Sequence, residues 1–292
     1  MLHCQMIQAG EIQAVVGDGS RNGMGGQHYC GLWSLTSRHH PYNAFGNSYA
    51  GLLPGEIRSG LPQLEIVDDN EVALTAGGID GRPMDVRATY RIKSPYCIDH
   101  ELTVIDHQDR RLKCNLPCQP GEGEFRESSW CCYMNGPEDR RIHFLSNGQW
   151  TRHLPPAHGQ AARIAPASVP DDQLERFPKV DRPPPFHWSW ADMRFDQPFY
   201  YGRVGPMVML LIFDRPRWLR IFSSPDGGGP ALQPGQMCPA WDFLWVIRSQ
   251  DYQLDVPYRF RVRLVYKLFE SDDDVLAQVR RAVDELGFDW SD

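Results

Sequence analysis

The sequence is poor in basic residues and has no basic cluster. It carries 30 Lys and Arg against 37 Asp and Glu, which gives 292 residues a formal net charge of −7. No basic run is longer than the pairs Arg110-Arg111 and Arg140-Arg141. Proteins that bind nucleic acid use a positive patch to neutralise backbone phosphates, so this composition argues against a nucleic-acid partner.

Long apolar segments are also missing. The longest apolar runs are far below the roughly 20 residues that a transmembrane helix requires. The first residues, MLHCQMIQAGEIQ, have neither the basic n-region nor the apolar h-region of a secretory signal. The sequence therefore predicts a cytoplasmic protein without a membrane partner.

Metal-binding motifs are the third absence. Cysteine occurs eight times but never as a CxxC pair. Cys114 and Cys118 could hold zinc only with two more ligands, and no second close pair of Cys or His accompanies them. We therefore expect free thiols in a reducing environment, with no metal and no cofactor. A metal-dependent enzyme remains the less favoured alternative; it would use His28, His39, His40 or His100.

Strand patterns are abundant. Residues 207–213, MVMLLIF, form an unbroken apolar run between turn formers, as is typical of a strand covered on both faces. Residues 85–92 and 258–267 instead alternate apolar and polar side chains, which predicts strands with one buried face. Many such segments at short spacing, without a βαβ rhythm, predict an all-β fold of antiparallel sheets packed face to face.

Two segments depart from this pattern. Residues 151–197 are rich in proline and lack periodicity, which predicts a lid or rim loop. Residues 271–287 predict the main helix, because Ser271 can cap an apolar stripe that ends before Gly287. This length is within the range of a single large β-domain, so we expect residues 1–292 to form one β-sandwich domain.

Three segments carry a resemblance to a known group of proteins. The stretches WSLTSRHHPYNAF, PFYYGRVGPMVMLLIF and PAWDFLWV resemble those of uncharacterised bacterial proteins near the galactose mutarotase-like group, and the likeness spans most of the chain. The group includes aldose epimerases and the sandwich domains of several polysaccharide lyases and glycosidases. The resemblance implies a large antiparallel β-sandwich, the supersandwich, here with a C-terminal helix. It implies no catalytic residues, because no acid and base pattern matches particular positions.

Aromatic residues suggest the ligand. Nine Trp, eleven Tyr and thirteen Phe exceed the needs of a core alone, and several lie in predicted loops or at strand ends. Sugar rings stack on aromatic faces while polar side chains bind the hydroxyls. We therefore predict a saccharide, or another small polar ligand, in an aromatic-lined cleft; the predicted binding residues are Trp33, Tyr42, Asn43, Trp188, Trp190 and Trp241.

A second set of residues suits proton transfer at a sugar carbon. A His or Tyr would take a proton, Arg would steady the developing negative charge, and Asp or a second His would return a proton. The predicted catalytic residues are His40, His143, Tyr201, Arg203 and Asp242. Tyr201 and Arg203 share one face of an extended strand, and Asp242 is expected to reach the same cleft. This chemistry fits an epimerase or a lyase equally well.

A non-catalytic sugar-binding protein is the main alternative. The same aromatic residues would then suffice, and the titratable side chains need not converge. A structure that places them on different faces would favour binding over catalysis.

Overall fold

The computed structural model describes residues 3–19, 29–46, 51–58, 62–77, 83–111, 125–135, 138–175, 189–225 and 238–291. Predicted residues His28, Cys114, Cys118 and Trp188 lie outside these ranges. The described strands are, in chain order, β1 (Cys4–Ala9), β2 (Ile12–Gly17), β3 (Gly31–Ser37), β4 (Leu52–Pro54), β5 (Gln63–Asp68), β6 (Glu71–Gly77), β7 (Met84–Lys93), β8 (Cys97–Asp106), β9 (Phe125–Cys132), β10 (Ile142–Ser146), β11 (Gln149–His153), β12 (Arg163–Pro166), β13 (Trp190–Phe195), β14 (Phe199–Val204), β15 (Met207–Phe213), β16 (Leu219–Ser224), β17 (Ala240–Arg248) and β18 (Pro257–Leu268). The helices are α1 (Gly55–Arg58) and α2 (Asp272–Leu286), with a 3-10 turn at Asp171–Gln173.

These strands form two nine-stranded sheets. The first sheet has the order β1-β2-β3-β4-β9-β17-β16-β12-β13, and the second has the order β11-β10-β14-β15-β18-β8-β7-β6-β5. Neighbouring strands are antiparallel except for the parallel pair β12 and β13. The predicted all-β sandwich with a C-terminal helix is confirmed.

The core lies between the two sheets. Trp130, Phe243 and Trp245 of the first sheet are almost fully buried, and the Trp245 ring stacks on Phe260 of the second sheet with centroids 5.0 Å apart. Gly202 in β14 faces Trp241 so closely that a Cβ there would lie 2.1 Å from the indole ring. Because Gly202 has no side chain, the Trp241 indole can lie directly against β14 of the opposite sheet.

Strand β15 is buried on both faces, as its apolar run predicts. Met207, Met209 and Leu211 enter the core between the sheets. Val208 and Leu210 point to the outer side of the second sheet, where they pack with helix α2. The continuous apolar sequence is therefore explained by a helix on one side and a sheet on the other.

Helix α2 follows the capping signals in its sequence. Ser271 Oγ accepts a hydrogen bond from Asp274 N at 3.1 Å, and Gly287 ends the helix in the left-handed conformation with φ 59°. The helix also covers cations of β18, a strand for which the alternating pattern predicts only one buried face. Arg263 is only 2% exposed and binds Asp99 at 2.6 Å and Glu285 at 2.5 Å. The difference arises because strand alternation indicates only that a face is polar, not what covers it.

Residues 151–197 do not form the uninterrupted loop that their prolines suggest. The described part contains the end of β11, all of β12, and β13. Every residue of β12 is buried, so no apolar and polar alternation marks it. Pro166 follows a register irregularity in the pairing of β12 with β13, and proline is tolerated in sheets at such irregularities. A lid or rim role for the rest of the segment remains a proposal.

Within the described ranges, no helix combines the length and the apolar character needed to cross a bilayer.

Candidate functional site

The outer face of the first sheet carries a row of chemically distinct side chains. Strand registers place Asp242 opposite Phe222, Phe222 opposite Arg163, and Arg163 opposite Trp190. Neighbouring strands lie about 4.8 Å apart, so the row crosses the sheet with an acid, an aromatic ring, a cation and a second aromatic ring at regular steps. This order is produced by four strands that are distant in sequence.

A cavity of about 140 Å³ opens over this row. Asp242, Phe222 and Arg163 line it together with Glu127 and Ser129 of β9. Cys131 and Leu244 complete the outward-facing part of the lining. The lining thus combines two carboxyls, a guanidinium, a hydroxyl and a phenyl ring, the mixed polar and apolar character that small-molecule sites have.

Burial changes the proton affinities of two groups in this lining. Burial raises the pKa of the Glu127 carboxyl, and the nearby Arg163 guanidinium opposes that change. Burial also lowers the pKa of Arg163 to about 10, although Glu127 favours its charged form. A carboxyl whose pKa is raised toward the working pH can give and take protons, which is a property of catalytic acids.

Several contacts hold this lining in place. Arg220 donates from Nε and Nη2 to the two oxygens of Glu175 at 2.9 and 2.5 Å, a buried two-bond pair. Trp190 Nε1 donates to the Glu175 carbonyl at 3.2 Å. Asp242 Oδ1 accepts a hydrogen bond from Cys132 N at 2.6 Å. The Asp242 carboxylate is therefore oriented by the protein before any ligand arrives, and the Arg220–Glu175 pair is already formed nearby.

A histidine stands beside the same face. His158 Nδ1 lies 2.7 Å from Ser224 Oγ. Ser224 is two residues from Phe222 on β16, so both side chains point to the outer side of the sheet. The distance along the strand between these two positions is roughly 6.6 Å. An imidazole thus lies beside the row, next to the residue of β16 that is two positions along the strand from Phe222.

Of the predicted site residues, Asp242, Trp190 and Trp33 lie on this outer face. The Trp33 ring lies over Gly17 of the neighbouring strand, because a Cβ on Gly17 would be 2.2 Å from it. Trp33 Nε1 donates to the Tyr29 carbonyl at 2.9 Å. Trp33 therefore extends the aromatic surface toward β2 rather than lining the cavity.

His143, Tyr201 and Arg203 come together elsewhere, on the outer face of the second sheet. The His143 and Tyr201 rings stack with centroids 4.6 Å apart, and Tyr201 OH donates to Asp272 Oδ1 at 2.5 Å. Arg203 lies over the Phe269 ring at 3.9 Å. Burial is the largest cause of both the raised pKa of Tyr201 and the lowered pKa of His143.

Asp242 does not share a cleft with Tyr201 and Arg203, contrary to the expectation from their strand-end positions. Both strands are covered by a sheet on their inner side, so these side chains point outward from opposite sides of the sandwich. Trp241 also departs from the prediction, because it is fully buried between the sheets. Its position next to Asp242 in sequence places it on the inner face of β17.

The remaining predicted residues lie in the turn after β3. Asn43 Oδ1 accepts hydrogen bonds from Leu35 N and Phe45 N, each at 3.1 Å, so the amide stabilises the turn itself. His40 Nδ1 lies 3.1 Å from Tyr266 OH. Tyr42 is 70% exposed. Ligand roles for these residues remain predictions.

Four residues of this face were not predicted from the sequence: Glu127, Phe222, Arg163 and His158. Glu127 could have been found from the alternation in FRESSWCC, which places it on the face opposite to the core residue Trp130. No comparable signal marks Arg163 and His158, because they lie in the aperiodic segment that resembled a loop.

Comparison with family models found no match, and a search of curated proteins found none. Solved structures do match. A protein of Escherichia coli K12 described as a candidate aldose 1-epimerase has a TM-score of 0.52 at 11% identity, over 91% of this chain and 99% of the other. A candidate mutarotase of Salmonella typhimurium has a TM-score of 0.45 at 12% identity, over 91% and 90% of the two chains. The first of these matches shows that the chain shares the β-sandwich fold of that protein, as its sequence resemblance predicted.

Proposed function

We propose that this protein binds a saccharide on the outer face of the first sheet and catalyses proton transfer on it, as an aldose 1-epimerase does. The row Asp242, Phe222, Arg163 and Trp190 is the observation that carries this proposal. The described fold is shared with a protein described as a candidate aldose 1-epimerase, which supports the same assignment. Fold alone does not imply function, so the proposal depends on the chemistry of the row.

The row suits a sugar because it combines ring-stacking and hydroxyl-binding groups. Phe222 lines the cavity and offers an aromatic surface for the C–H groups of a pyranose, and Trp190 packs beside the cavity against Leu244 and Val246. Asp242 and Arg163 lie two strands apart, roughly 10 Å between their Cα atoms, on either side of Phe222. A sugar ring over Phe222 would meet a hydrogen-bond acceptor at one end and a donor at the other.

The groups around the row suit exchange between anomers. Such an exchange removes a proton from the anomeric hydroxyl and adds one to the ring oxygen. The ring then opens, and the open chain rotates about the bond next to the aldehyde carbon. The ring closes again with the two proton transfers reversed. We assign the proton transfers to Asp242 and His158, because Asp242 lies opposite Phe222 on β17 and His158 contacts Ser224, two residues from Phe222 on β16. Arg163 would stabilise negative charge on a sugar oxygen.

Glu127 is placed for a supporting role. Cys131 lines the cavity together with Asp242. Glu127 lies four residues from Cys131 along β9, so about 13 Å of strand separates Glu127 from this part of the cavity. A monosaccharide at Asp242 would meet Glu127 only at its far end. Because burial raises the pKa of Glu127, its protonated form can donate a hydrogen bond to a distal hydroxyl.

Exchange of anomers can be measured directly by NMR saturation transfer with glucose and galactose. Asp242→Asn should reduce the exchange rate roughly a hundredfold or more, the usual scale for loss of an acid or base. His158→Gln should act similarly. Asp69→Asn, in an exposed turn at the far edge of the second sheet, provides the control and should leave the rate unchanged. No exchange by the wild-type protein with any aldose in a panel would contradict the catalytic part of the proposal.

Non-catalytic saccharide binding is the second candidate function. It is favoured by the separation of the predicted catalytic side chains, since His143 and Tyr201 lie on the opposite side of the sandwich from Asp242. In this case glucose or a related sugar would bind without any exchange of anomers. Trp190→Ala would then weaken binding, and Asp242→Asn would cost about 1 kcal/mol of affinity.

A further inference from the structure

A second cavity lies at one end of the sandwich, away from the proposed saccharide face. It has a volume of about 170 Å³ and is lined, among the described residues, by Arg215, Arg217, Trp218 and Asp251. The first three belong to the connection from β15 to β16, and Asp251 belongs to the connection from β17 to β18. Both connections pass from one sheet to the other. The cavity therefore lies between two connecting segments at the same end of the sandwich.

Arg215 is held in an unusual conformation. Its φ is 49°, in the left-handed region, and the next residue is Pro216. A residue without a glycine's freedom seldom adopts this conformation, and strain of this kind is concentrated at binding sites. The side chain is fixed as well, because Arg215 Nε donates to the Arg259 carbonyl at 3.0 Å and the guanidinium lies 4.9 Å from the Trp218 ring. The cation is thus preorganised beside an aromatic surface.

The charges around this cavity do not neutralise one another directly. Among the described residues, Arg215 and Arg217 form no ion pair with Asp251 across this cavity; Arg215 favours the charged form of the neighbouring Asp214, and Asp251 favours that of Arg248. Two cations and one anion therefore face a common space without meeting. A ligand with both a negative and a positive group would satisfy them together, whereas a simple anion would be repelled by Asp251.

We propose that this cavity binds a small zwitterion of the α-amino acid type. The ligand carboxylate lies between Arg215 and Arg217, the ammonium group binds Asp251, and the side chain lies along Trp218. Guanidinium groups recognise a carboxylate through paired N–H donors, which gives orientation as well as attraction. The volume suits a small molecule rather than a peptide.

Isothermal titration calorimetry of the full chain with L-leucine tests the proposal. We expect saturable binding with a Kd of about 1 mM or tighter. N-acetyl-L-leucine lacks the ammonium group and L-leucine methyl ester lacks the carboxylate, so each should bind at least about tenfold more weakly. Equal binding of N-acetyl-L-leucine would overturn the role of Asp251, and absence of any saturable heat with L-leucine would overturn the site.

Matched variants locate the binding. Arg217→Gln and Asp251→Asn should each weaken L-leucine binding at least about tenfold, since each removes one charged partner. Arg280→Gln, an exposed position on α2, is the control and should bind as the wild type does. Asp242→Asn should also retain full L-leucine affinity. Loss of affinity in Asp242→Asn would place the ligand on the saccharide face and contradict the proposal.

Discussion

Two successive tyrosines illustrate how the side of a sheet decides the environment of a residue. Tyr200 points between the sheets and donates from its hydroxyl to the Trp241 carbonyl at 2.5 Å. Tyr201 points outward and donates to Asp272 Oδ1 at 2.5 Å. Asp272 is the first residue of helix α2, so the Tyr201 hydroxyl joins the second sheet to the start of that helix.

Tyr201→Phe should therefore affect stability rather than ligand binding. The substitution keeps the ring and removes one hydrogen bond to a carboxylate, so the free energy of unfolding should fall by about 1–2 kcal/mol. Urea unfolding measures this change, and Tyr42→Phe in an exposed turn should leave stability unchanged. A large fall in anomer exchange with unchanged stability would instead support the catalytic role predicted for Tyr201 from the sequence.

His100 is a buried residue whose hydrogen bonds select its neutral form. Trp130 Nε1 donates to His100 Nε2 at 3.0 Å, and His100 Nδ1 lies 2.8 Å from the Thr89 carbonyl. The Nδ1–H tautomer satisfies both contacts, whereas protonation at Nε2 would oppose the indole N–H. Burial lowers the pKa of His100 to about 4, from an ordinary value of 6.5.

This lowered pKa predicts a loss of stability in acid. The unfolded chain binds a proton at His100 below pH 6.5, while the folded chain resists it down to about pH 4. The stabilisation is therefore complete above pH 6.5 and declines as the pH falls toward 4, by about 3 kcal/mol at most. Urea unfolding at pH 7 and pH 4 should show a smaller acid loss in His100→Gln than in the wild type.

His107 provides a control, because its contribution to stability changes with pH in the opposite direction to that of His100. Its exposed ring contacts Asp255 at 2.6 Å and Asp85 at 3.2 Å, and hydrogen bonds to these carboxylates raise its pKa. Its contribution is present at low pH and lost as the pH rises through its folded pKa. His107→Gln should therefore not reduce the acid loss, and an equal reduction in both variants would contradict the assignment to His100.

Among the secondary-structure elements, helix α2 packs on the outer face of the second sheet and covers its central strands. Val275, Val279 and Ala282 are buried against the outward side chains of β15 and β18. Charged contacts reinforce this packing, since Lys267 Nζ lies 2.8 Å from Asp274 Oδ2 at the first turn. The helix thus accounts for the apolar outer face of the central strands.

Val279→Asp tests whether this cover contributes to global stability. Val279 is 2% exposed, so the variant places an unpaired carboxylate in an apolar interface and should cost several kcal/mol of unfolding free energy. Arg280→Asp introduces the same residue at the neighbouring exposed position and should cost far less. Equal unfolding midpoints in urea for the two variants would mean that α2 does not pack on the sheet.

At the scale of the whole molecule, stability depends on how closely the two sheets approach. Gly202 and Trp241 form one of the tightest contacts between them, because the indole occupies the space that a side chain at position 202 would need. Trp241 also donates from Nε1 to the Arg140 carbonyl at 3.2 Å. The indole position is consequently restrained from both sides.

Gly202→Ala should destabilise the protein by about 1–3 kcal/mol through overpacking. Trp241→Phe removes part of the ring and should also destabilise, because buried surface and a hydrogen bond are lost. In the double variant the smaller ring leaves room for the methyl group. Urea unfolding should then give a double variant more stable than the sum of the single effects by about 1 kcal/mol or more. Additive losses would contradict direct contact between these two positions.

The fold class and the ends of the clearest elements follow from local sequence patterns. Residues 207–213 match β15 residue for residue, and the predicted helix at 271–287 matches α2 with its two caps. These predictions succeed because apolar periodicity, turn residues and capping groups act over a few neighbouring residues. The short strand β12 was not predicted, because burial on both of its faces removes the apolar and polar alternation on which such predictions depend.

Which polar residues come together depends on how the strands are ordered in the two sheets. Alternation correctly places Asp242 on one face of β17 and Tyr201 on one face of β14, but it cannot say that those faces lie on opposite sides of the sandwich. Arg163 and Trp190 join Asp242 through the pairing of β12, β13, β16 and β17, strands separated by long stretches of chain. Side-chain direction is a local property of the backbone, whereas neighbourhood across a sheet depends on strand order, which no short sequence pattern encodes.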